Sequence, residues 1–282
     1  MSDYTQREKA EQLRRMHDRS HEAPMLVLPN VWDAASARIV EQAGFSAVAT
    51  TSSGVAAALG YPDGQRMSRK TMLDAVARIA RVVTCPVTAD FEAGYGATLA
   101  RKVESVKAVI AAGAVGVNIE DSLPGQPGGL AETSAQADLV AALRDLGTTL
   151  GIPFVINARV DVFLRGAGEP ERQFEQAVER ANAYLDAGAD CAYPIGRLSH
   201  ETIGRLVQEI HGPINVMGGP PQPTLPALAS LGVARVSLAG GLMRAALGHT
   251  RAIVRELRET GGYDMLASEA LTSAELGALF PK

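Results

Sequence analysis

Short apolar runs that alternate with segments of helical spacing constrain the fold of this chain more than any other feature. Each run closes in polar residues and is followed by an amphipathic pattern. This alternation indicates parallel strands joined by right-handed helical crossovers. The runs predicted as strands are Met25–Pro29, Ala47–Thr51, Val87–Phe91, Gly116–Glu120, Phe154–Ala158, Cys191–Ile195, Ile214–Met217 and Arg235–Leu238. The helices predicted between them include Thr71–Val82, Leu99–Ala112, Ser134–Leu146, Glu171–Ala187 and Ser199–Glu209.

Eight such units predict an α/β fold, a (β/α)8 TIM barrel, with a doubly wound open sheet as the alternative. No linker or low-complexity tract divides the 282 residues, so we expect a single domain over 1–282. A helix over Gln6–Asp18 lies within a predicted N-terminal helical extension, 1–23. A C-terminal helical extension, 251–282, carries apolar positions beyond those that the barrel needs. Such a surplus predicts burial against another subunit.

Helix ends are marked in the sequence by glycine and serine. Gly44, Gly113 and Gly188 each stand between a predicted helix and the next strand. Glycine adopts the left-handed conformation of a helix C-terminus at little cost, so we expect helices to end there. Ser134 and Ser199 are predicted N-caps.

Composition excludes several classes of protein. With 27 basic and 31 acidic residues the net charge is −4, which is unlike a nucleic-acid binder. No apolar run approaches the roughly 18 residues of a membrane span, and the charged N-terminus does not resemble a signal peptide. Cys85 and Cys191 are too few for a disulfide framework, and no zinc-ligand spacing is present. We therefore expect a soluble, cytoplasmic globule without nucleic-acid or membrane partners.

Acidic residues gather where the predicted strands end. The carboxyl ends of the strands form the catalytic face of a parallel barrel. Since side chains alternate along a strand, Asp90 and Glu92 are predicted to lie on the same side. The charged residues at these junctions are Asp63, Asp90, Glu92, Glu120, Asp121, Arg159 and Asp161.

Clustered carboxylates repel one another, and a divalent cation can hold them together. An all-oxygen ligand set suits Mg²⁺, with Mn²⁺ as a second possibility. Arg159 would contact the carboxylate or phosphate of an anionic substrate. The ion would then polarise a carbonyl or stabilise an enolate. Any one of these acids could instead be a helix cap, and Asp33 is the clearest case because it precedes a predicted helix.

Several motifs together resemble the isocitrate lyase/phosphoenolpyruvate mutase superfamily from about residue 26 to 247. The motifs are LPNVWDAASARIVEQAGF, TTSSGVAAALGYPDG, TADFEAGYG, GVNIEDS and INARVDVFL. The resemblance implies a (β/α)8 barrel whose last helix is exchanged with a partner subunit, in a homodimer or homotetramer. It also implies Mg²⁺-dependent chemistry on small 2-oxo or 2-hydroxy acids through enolate-like intermediates.

Matching positions imply a role for each site residue. Asp90 resembles the direct Mg²⁺ ligand, and Asp63, Glu92 and Glu120 resemble the acids that hold the waters of the ion. Arg159 resembles the arginine that binds the substrate carboxylate, and Thr51, Ser52 and Ser53 lie where the family binds a carboxylate or carbonyl oxygen. Asp63, Glu120 and Arg159 are the predicted catalytic residues.

The departures from the family motifs narrow the reaction. Isocitrate lyases carry Lys-(Lys/Arg)-Cys-Gly-His in the loop after strand four, and phosphoenolpyruvate mutases carry Lys-Asn-Ser. This chain has SLPGQPGGLAET there, and YPIG lacks the glutamate of the lyases. A site without a loop proton donor favours decarboxylation of a 2-oxo diacid such as oxaloacetate.

Three alternatives stay open. The first is retro-aldol or retro-Claisen cleavage of a substituted malate, with Asp63 or a metal-bound water as base. The second is phosphorus–carbon chemistry, as a phosphoenolpyruvate/phosphonopyruvate mutase or hydrolase. The third is a barrel that binds carboxylates without catalysis.

Overall fold

The strands lie where the alternation predicts them, in a computed structural model that describes residues 5–18 and 24–280. They are β1 Leu26–Leu28, β2 Asn30–Val31, β3 Val48–Thr50, β4 Val87–Asp90, β5 Gly116–Glu120, β6 Val155–Val160, β7 Cys191–Pro194, β8 Asn215–Met217 and β9 Arg235–Ser237. The first predicted strand, Met25–Pro29, contains β1 alone, and β2 follows directly after Pro29. Proline has no backbone N–H, so it interrupts the hydrogen-bonded ladder at this point.

All the strand pairs are parallel and together they close a barrel. One sheet has the order β2-β3-β4-β5-β6-β7, and a second has the order β1-β9-β8. The chain itself joins the sheets between β1 and β2, and a bridge between Ala192 and Ile214 joins them between β7 and β8. This is the predicted (β/α)8 architecture, and the open-sheet alternative is excluded.

Helices follow the strands around the barrel. They are α1 Gln6–Arg15, α2 Ala34–Gln42, α3 Ser52–Ala58, α4 Arg69–Val82, α5 Leu99–Ala111, α6 Thr133–Leu150, α7 Val162–Arg165, α8 Gln173–Asp186, α9 His200–Glu209, α10 Leu225–Ser230, α11 Gly241–Glu259, α12 Asp264–Ala267 and α13 Ser273–Ala278. Pro170–Arg172 forms a 3-10 turn before α8. The barrel helices bury their apolar faces against the sheet, and the core runs continuously between the two layers.

Helix α1 closes the amino-terminal end of the barrel. The side-chain amide of Gln6 donates to the carbonyl oxygens of Ile110 and Ala114. Ala10 and Leu13 are fully buried in a small core beneath the strands. The predicted helix Gln6–Asp18 is therefore present, though it ends at Arg15. Residues 1–4 and 19–23 of the predicted extension lie outside the described residues.

The predicted helix ends are confirmed except at one serine. Gly44, Gly113 and Gly188 have φ values of 89°, 100° and 106°, in the left-handed region. The hydroxyl oxygen of Ser199 accepts a hydrogen bond from the backbone N–H of Thr202 and caps α9. Ser134 is not a cap, because α6 already begins at residue 133.

Helix α11 packs little against the barrel, although the chain beyond it returns to α2, where Leu279 is buried and its carbonyl oxygen accepts a hydrogen bond from Arg38. Helix α11 follows β9 and runs without a break through residue 251, so the predicted start of the C-terminal extension falls inside a helix. Met243 is its one buried residue, whereas Leu247, Val254 and Leu257 are exposed. In the described part of the chain no helix is long and apolar enough to cross a membrane.

Candidate active site

A cavity of about 250 Å³ opens at the carboxyl ends of the barrel strands. Its walls bring together residues that are far apart in the sequence. Most of the predicted site residues line it, namely Thr51, Ser52, Ser53, Asp63, Asp90 and Arg159. Asn118, Tyr193, Arg235 and Arg244 also line it, and the sequence analysis did not identify these four.

Asp90, the last residue of β4, is held rigidly in this cavity. One carboxylate oxygen accepts a hydrogen bond of 2.8 Å from the backbone N–H of Ser52, and the other accepts one of 2.8 Å from the Asn118 side chain. The backbone N–H of Asp90 donates to the Thr50 hydroxyl at 2.8 Å. These contacts fix the carboxylate while lone pairs remain free for a cation.

Hydroxyl groups at the start of α3 face the same cavity. The Thr51 and Ser53 hydroxyls lie 3.0 Å apart, and both residues line the wall beside Asp90. Ser52 is buried and contributes its backbone N–H to Asp90. The three residues thus supply neutral hydrogen-bonding groups next to a carboxylate, as a site for a carboxylate or carbonyl oxygen requires.

Arg159 is surrounded by acids. Its guanidinium donates two hydrogen bonds to Asp161, at 2.6 and 2.8 Å, and lies 2.7 Å from Glu120. Register places Glu120, Arg159 and Tyr193 side by side on β5, β6 and β7. Burial disfavours the charge of Arg159, but Glu120 and Asp161 outweigh burial and raise its pKa. Two carboxylates therefore orient this arginine before any substrate binds.

Glu92 does not face the cavity as the alternation predicts. Strand β4 ends at Asp90, and Glu92 has a left-handed backbone with φ 49°. Its carboxylate accepts hydrogen bonds from the Gln65 backbone and the Tyr95 hydroxyl. Side chains two residues apart share a side only while the backbone is extended, and the extended backbone ends at Asp90, two residues before Glu92. Glu92 is nevertheless buried close enough to interact with the charge of Asp90.

Asp63 lies at the rim between two cavities. It is exposed and lines both the main cavity and a smaller one of about 240 Å³ beneath the loop 122–133. That smaller cavity also contains Glu120 and Arg165. The loop itself is folded over them, since Ser122 and Leu130 pair as an antiparallel bridge. The acids predicted as one cluster are thus divided between the floor and the rim of the site.

The electrostatics of these acids fit a bound cation. Burial raises the pKa of Glu92 to about 7; the hydrogen bond from Tyr95 opposes the shift and the charge of Asp90 adds to it. Burial also raises the pKa of Glu120 against the charge of Arg159. The negative charge of Asp90 contributes to both shifts, and a divalent ion stabilises carboxylates that repel one another.

Direct coordination would involve few of these acids. Within residues 5–18 and 24–280, no three His, Cys, Asp or Glu side chains are grouped to hold one ion. The arrangement fits a site in which Asp90 alone contacts the ion, as the motif resemblance implies. Hard oxygen donors of this kind suit Mg²⁺.

Arg235 links the floor of the cavity to the closed end of the barrel. It is 2% exposed, and its guanidinium lies 3.4 Å from Nε2 of His17 and 3.3 Å from the Ser237 hydroxyl. Burial and the charge of Arg235 lower the pKa of His17 to about 3, so the imidazole is neutral. The His17 Nδ1 lies 2.8 Å from the Leu13 carbonyl oxygen, which leaves Nε2 to accept from Arg235.

Comparison with known proteins decides the family. The sequence model of one protein family, phosphoenolpyruvate phosphomutase, matches residues 13–258 of this chain. The chain belongs to the phosphoenolpyruvate phosphomutase family. This confirms the resemblance to the isocitrate lyase/phosphoenolpyruvate mutase superfamily that the motifs indicate.

Members of the family similar to this chain carry several activities. An oxaloacetate decarboxylase from Bradyrhizobium is 30% identical over 265 residues, which cover 88% of this chain and 85% of the relative. A crystal structure from Burkholderia cenocepacia J2315, provisionally named a lyase/mutase, is 34% identical with a TM-score of 0.88. The superposition covers 97% of this chain and 95% of the Burkholderia chain. A phosphonopyruvate hydrolase in complex with oxalate and Mg²⁺ is 26% identical with a TM-score of 0.83, and covers 96% and 94%.

Proposed function

We propose that this protein is a Mg²⁺-dependent carbon–carbon lyase that decarboxylates a small 2-oxo diacid of the oxaloacetate type. The observation that carries the proposal is the fixed Asp90 carboxylate in a cavity that also presents hydroxyls and arginines. The relative named oxaloacetate decarboxylase supports the reaction type, and the phosphonopyruvate hydrolase that binds Mg²⁺ and oxalate supports the ion. Mn²⁺ would serve the same oxygen ligands.

The residues divide into those that would hold the ion and those that would hold the substrate. Asp90 would contact Mg²⁺, with Asp63, Glu92 and Glu120 around it. The ion supplies a Lewis acid that withdraws electrons from the 2-oxo group. The hydroxyls of Thr51, Ser52 and Ser53 would bind carboxylate oxygens of the substrate.

Arg159 would bind the substrate carboxylate next to the reacting carbonyl. Its contacts with Asp161 and Glu120 use three of its five N–H groups, which leaves two for a ligand. Because both carboxylates hold the guanidinium plane, little side-chain entropy is lost when the substrate binds. Glu120 therefore acts on the substrate through Arg159 as well as through the ion.

Decarboxylation needs few groups beyond these. The bond between C3 and C4 breaks, CO₂ leaves, and the electron pair moves into the enolate of pyruvate. A proton from solvent then converts the enolate to pyruvate. No Cys, Lys or His in the loop 122–133 is available as a donor, which suits a reaction whose last proton comes from water. Asp63 at the rim would be the base in the alternative cleavage of a substituted malate.

Proton NMR of the products tests the proposal. The protein is incubated with oxaloacetate, 2-methylmalate-type acids or phosphonopyruvate, with and without Mg²⁺. Because oxaloacetate decarboxylates spontaneously, only a metal-dependent rate above that of Asp90→Ala counts. Asp74→Ala removes an exposed carboxylate on α4 and serves as the matched control, with wild-type activity expected.

Each outcome of that assay discriminates between functions. Metal-dependent pyruvate from oxaloacetate supports the lyase. Pyruvate and phosphate from phosphonopyruvate, seen by phosphorus NMR, would replace it with phosphorus–carbon chemistry. Thermal stabilisation by these acids without any product would instead favour a non-catalytic carboxylate-binding barrel.

We also propose that the protein is a homodimer or homotetramer in which α11 packs on a neighbouring barrel. The exposed apolar side chains of α11 and of residues 264–280 support this, since they include Leu247, Val254, Leu266 and Phe280. Apolar surface of this extent is typical of subunit interfaces. A monomer by light scattering would contradict it.

A further inference from the structure

A second chamber of about 980 Å³ lies beside the main cavity at the same end of the barrel. The two share Leu164, Met217 and Arg244 in their walls, so they are adjacent along one boundary. Oxaloacetate has only four carbons and would occupy the main cavity alone. The chamber is therefore additional space next to the reacting groups.

The walls of this chamber are fixed before any ligand binds. The Gln222 side chain accepts a hydrogen bond of 3.1 Å from the backbone N–H of Leu198. It also donates to the carbonyl oxygens of Gly196 and Met217, both at 3.1 Å. One side chain thus ties the loop after β7 to the loop after β8. A preformed chamber costs less ordering entropy when a ligand enters.

The lining has a definite chemical character. Phe163, Leu164, Leu198, Leu238 and Leu242 supply apolar surface. Charge comes from two arginines, and no Asp or Glu lines the chamber among the residues that the structure describes. Such a surface matches an aliphatic chain that ends in an anion.

Both arginines are free to bind a ligand. Over 5–18 and 24–280, no side-chain hydrogen bond or ion pair is found for Arg197 or Arg244. Arg159 differs, because Glu120 and Asp161 already neutralise it. Among the described residues, Arg235 also lacks a carboxylate partner but lines only the main cavity, whereas Arg244 lies at the boundary and lines both cavities.

We infer that the substrate is larger than oxaloacetate and carries on C3 an aliphatic substituent that ends in a carboxylate. The 2-oxo acid head occupies the main cavity, the aliphatic part crosses Leu164 and Met217, and Arg244 binds the terminal carboxylate. This inference rests on the proposed function, since it assumes a 2-oxo acid head beside Asp90. Arg244 determines specificity and takes no part in bond cleavage.

Binding of unreactive oxamates tests the inference without turnover. In an oxamate the amide nitrogen stands for C3, so the head resembles the substrate but cannot decarboxylate. Isothermal titration with Mg²⁺ present compares oxamate, N-pentyloxamate and N-(carboxybutyl)oxamate. The compound with the terminal carboxylate is expected to bind about tenfold tighter than the pentyl compound, as for a charge-assisted hydrogen bond.

Variants assign the effect to the chamber. Arg244→Met should weaken the carboxybutyl compound about tenfold and remove its advantage over the pentyl compound. Arg197→Met, at the other cation, should reduce the same advantage by a smaller factor. Arg78→Met removes an exposed arginine of α4 that lines neither cavity, and it should retain the wild-type preference.

The outcomes separate this inference from the proposed function. Equal affinity for the two tails in the wild-type protein would overturn the inference alone. The inference would also be overturned if Arg244→Met weakened the binding of oxamate and of both substituted oxamates by the same factor. Arg244 would then bind the 2-oxo acid head and not the terminal carboxylate. If not even oxamate binds in the presence of Mg²⁺, the 2-oxo acid site is wrong and the inference is overturned with it.

Discussion

Buried charged side chains are stabilised differently at the two ends of the barrel. At the carboxyl end, Glu120 and Arg159 are both buried and compensate one another. At the amino end, Arg235 is buried against His17, and the imidazole stays neutral so that it can accept a hydrogen bond. The Glu120–Arg159 ion pair lies beside an open cavity, where a ligand can take the place of one partner. His17 is a neutral acceptor beneath α1, and its hydrogen bond with Arg235 contributes only to the stability of the fold. The carboxyl end of the barrel thus holds the groups for chemistry, and the amino end holds groups that stabilise the fold.

The largest effect is expected from Asp90→Asn at the carboxyl end. The substitution keeps the size of the side chain but removes the charge that would hold Mg²⁺. We expect turnover to fall about a thousandfold or more, and the free energy of unfolding without metal to fall by only about 1–3 kcal/mol, because the new amide N–H faces one of the two donors that Asp90 accepts from. Steady-state kinetics and urea unfolding measure the two quantities. Loss of stability in proportion to activity would show that Asp90 is structural.

The opposite pattern is expected at the amino end from Leu13→Ala. Leu13 is fully buried between α1 and the strands, so its truncation should cost about 2–5 kcal/mol of unfolding free energy. Turnover per folded molecule should be unchanged. Leu99→Ala, which truncates a side chain that is 46% exposed, is the matched control and should cost under about 0.5 kcal/mol. An equal cost for the two variants would mean that α1 does not seal the barrel.

His17 makes the stability of the closed end depend on pH. The unfolded imidazole takes up a proton below its ordinary pKa of 6.5, but the folded one does so only near 3. Unfolding therefore becomes easier as the pH falls from 6.5 towards 3, by up to about 1.4 kcal/mol per pH unit. His17→Gln should remove this part of the slope in urea unfolding between pH 7 and 4.5. His200→Gln, at an exposed position, should keep the wild-type slope.

A smaller pH effect is expected at the open end, on Mg²⁺ binding rather than on the free energy of unfolding. Because the pKa of Glu92 is raised to about 7, this carboxyl is largely protonated at pH 5.5 and ionised at pH 8. Mg²⁺ binding should therefore be about tenfold or more weaker at pH 5.5 than at pH 8. Thermal shifts in a Mg²⁺ titration at constant ionic strength measure this. An apparent affinity that does not change with pH would show that the cation does not sense Glu92.

Local patterns predict the strands and most helix ends because both depend on neighbouring residues. The apolar runs locate every strand except β2, which follows Pro29, and Gly44, Gly113 and Gly188 mark helix ends correctly. The break at Pro29 is also a local signal, although the predicted strand was extended to include it. The start of α6 was misplaced at Ser134, because either Glu132 or Ser134 could precede a helix and only packing decides between them.

The site was predicted less completely, because its geometry depends on contacts between distant strands. Asp90 and Arg159 follow from their places at strand ends, but the direction of Glu92 does not, since the strand stops before it. Arg235 gave a usable signal, as a charged residue within an apolar strand. Arg244 gave none, because an arginine at a helix start resembles any exposed arginine until the fold places it between two cavities.

The division of the first strand at Pro29 has a consequence for how the chain folds. β1 pairs with β9, so Leu26 near the beginning of the sequence must meet Arg235 near its end. Contacts of such long sequence separation form late and slow the search for the native topology. During synthesis, β1 therefore remains an unpaired edge until β9 has left the ribosome. A chain released before that point exposes this edge to other chains, which favours aggregation.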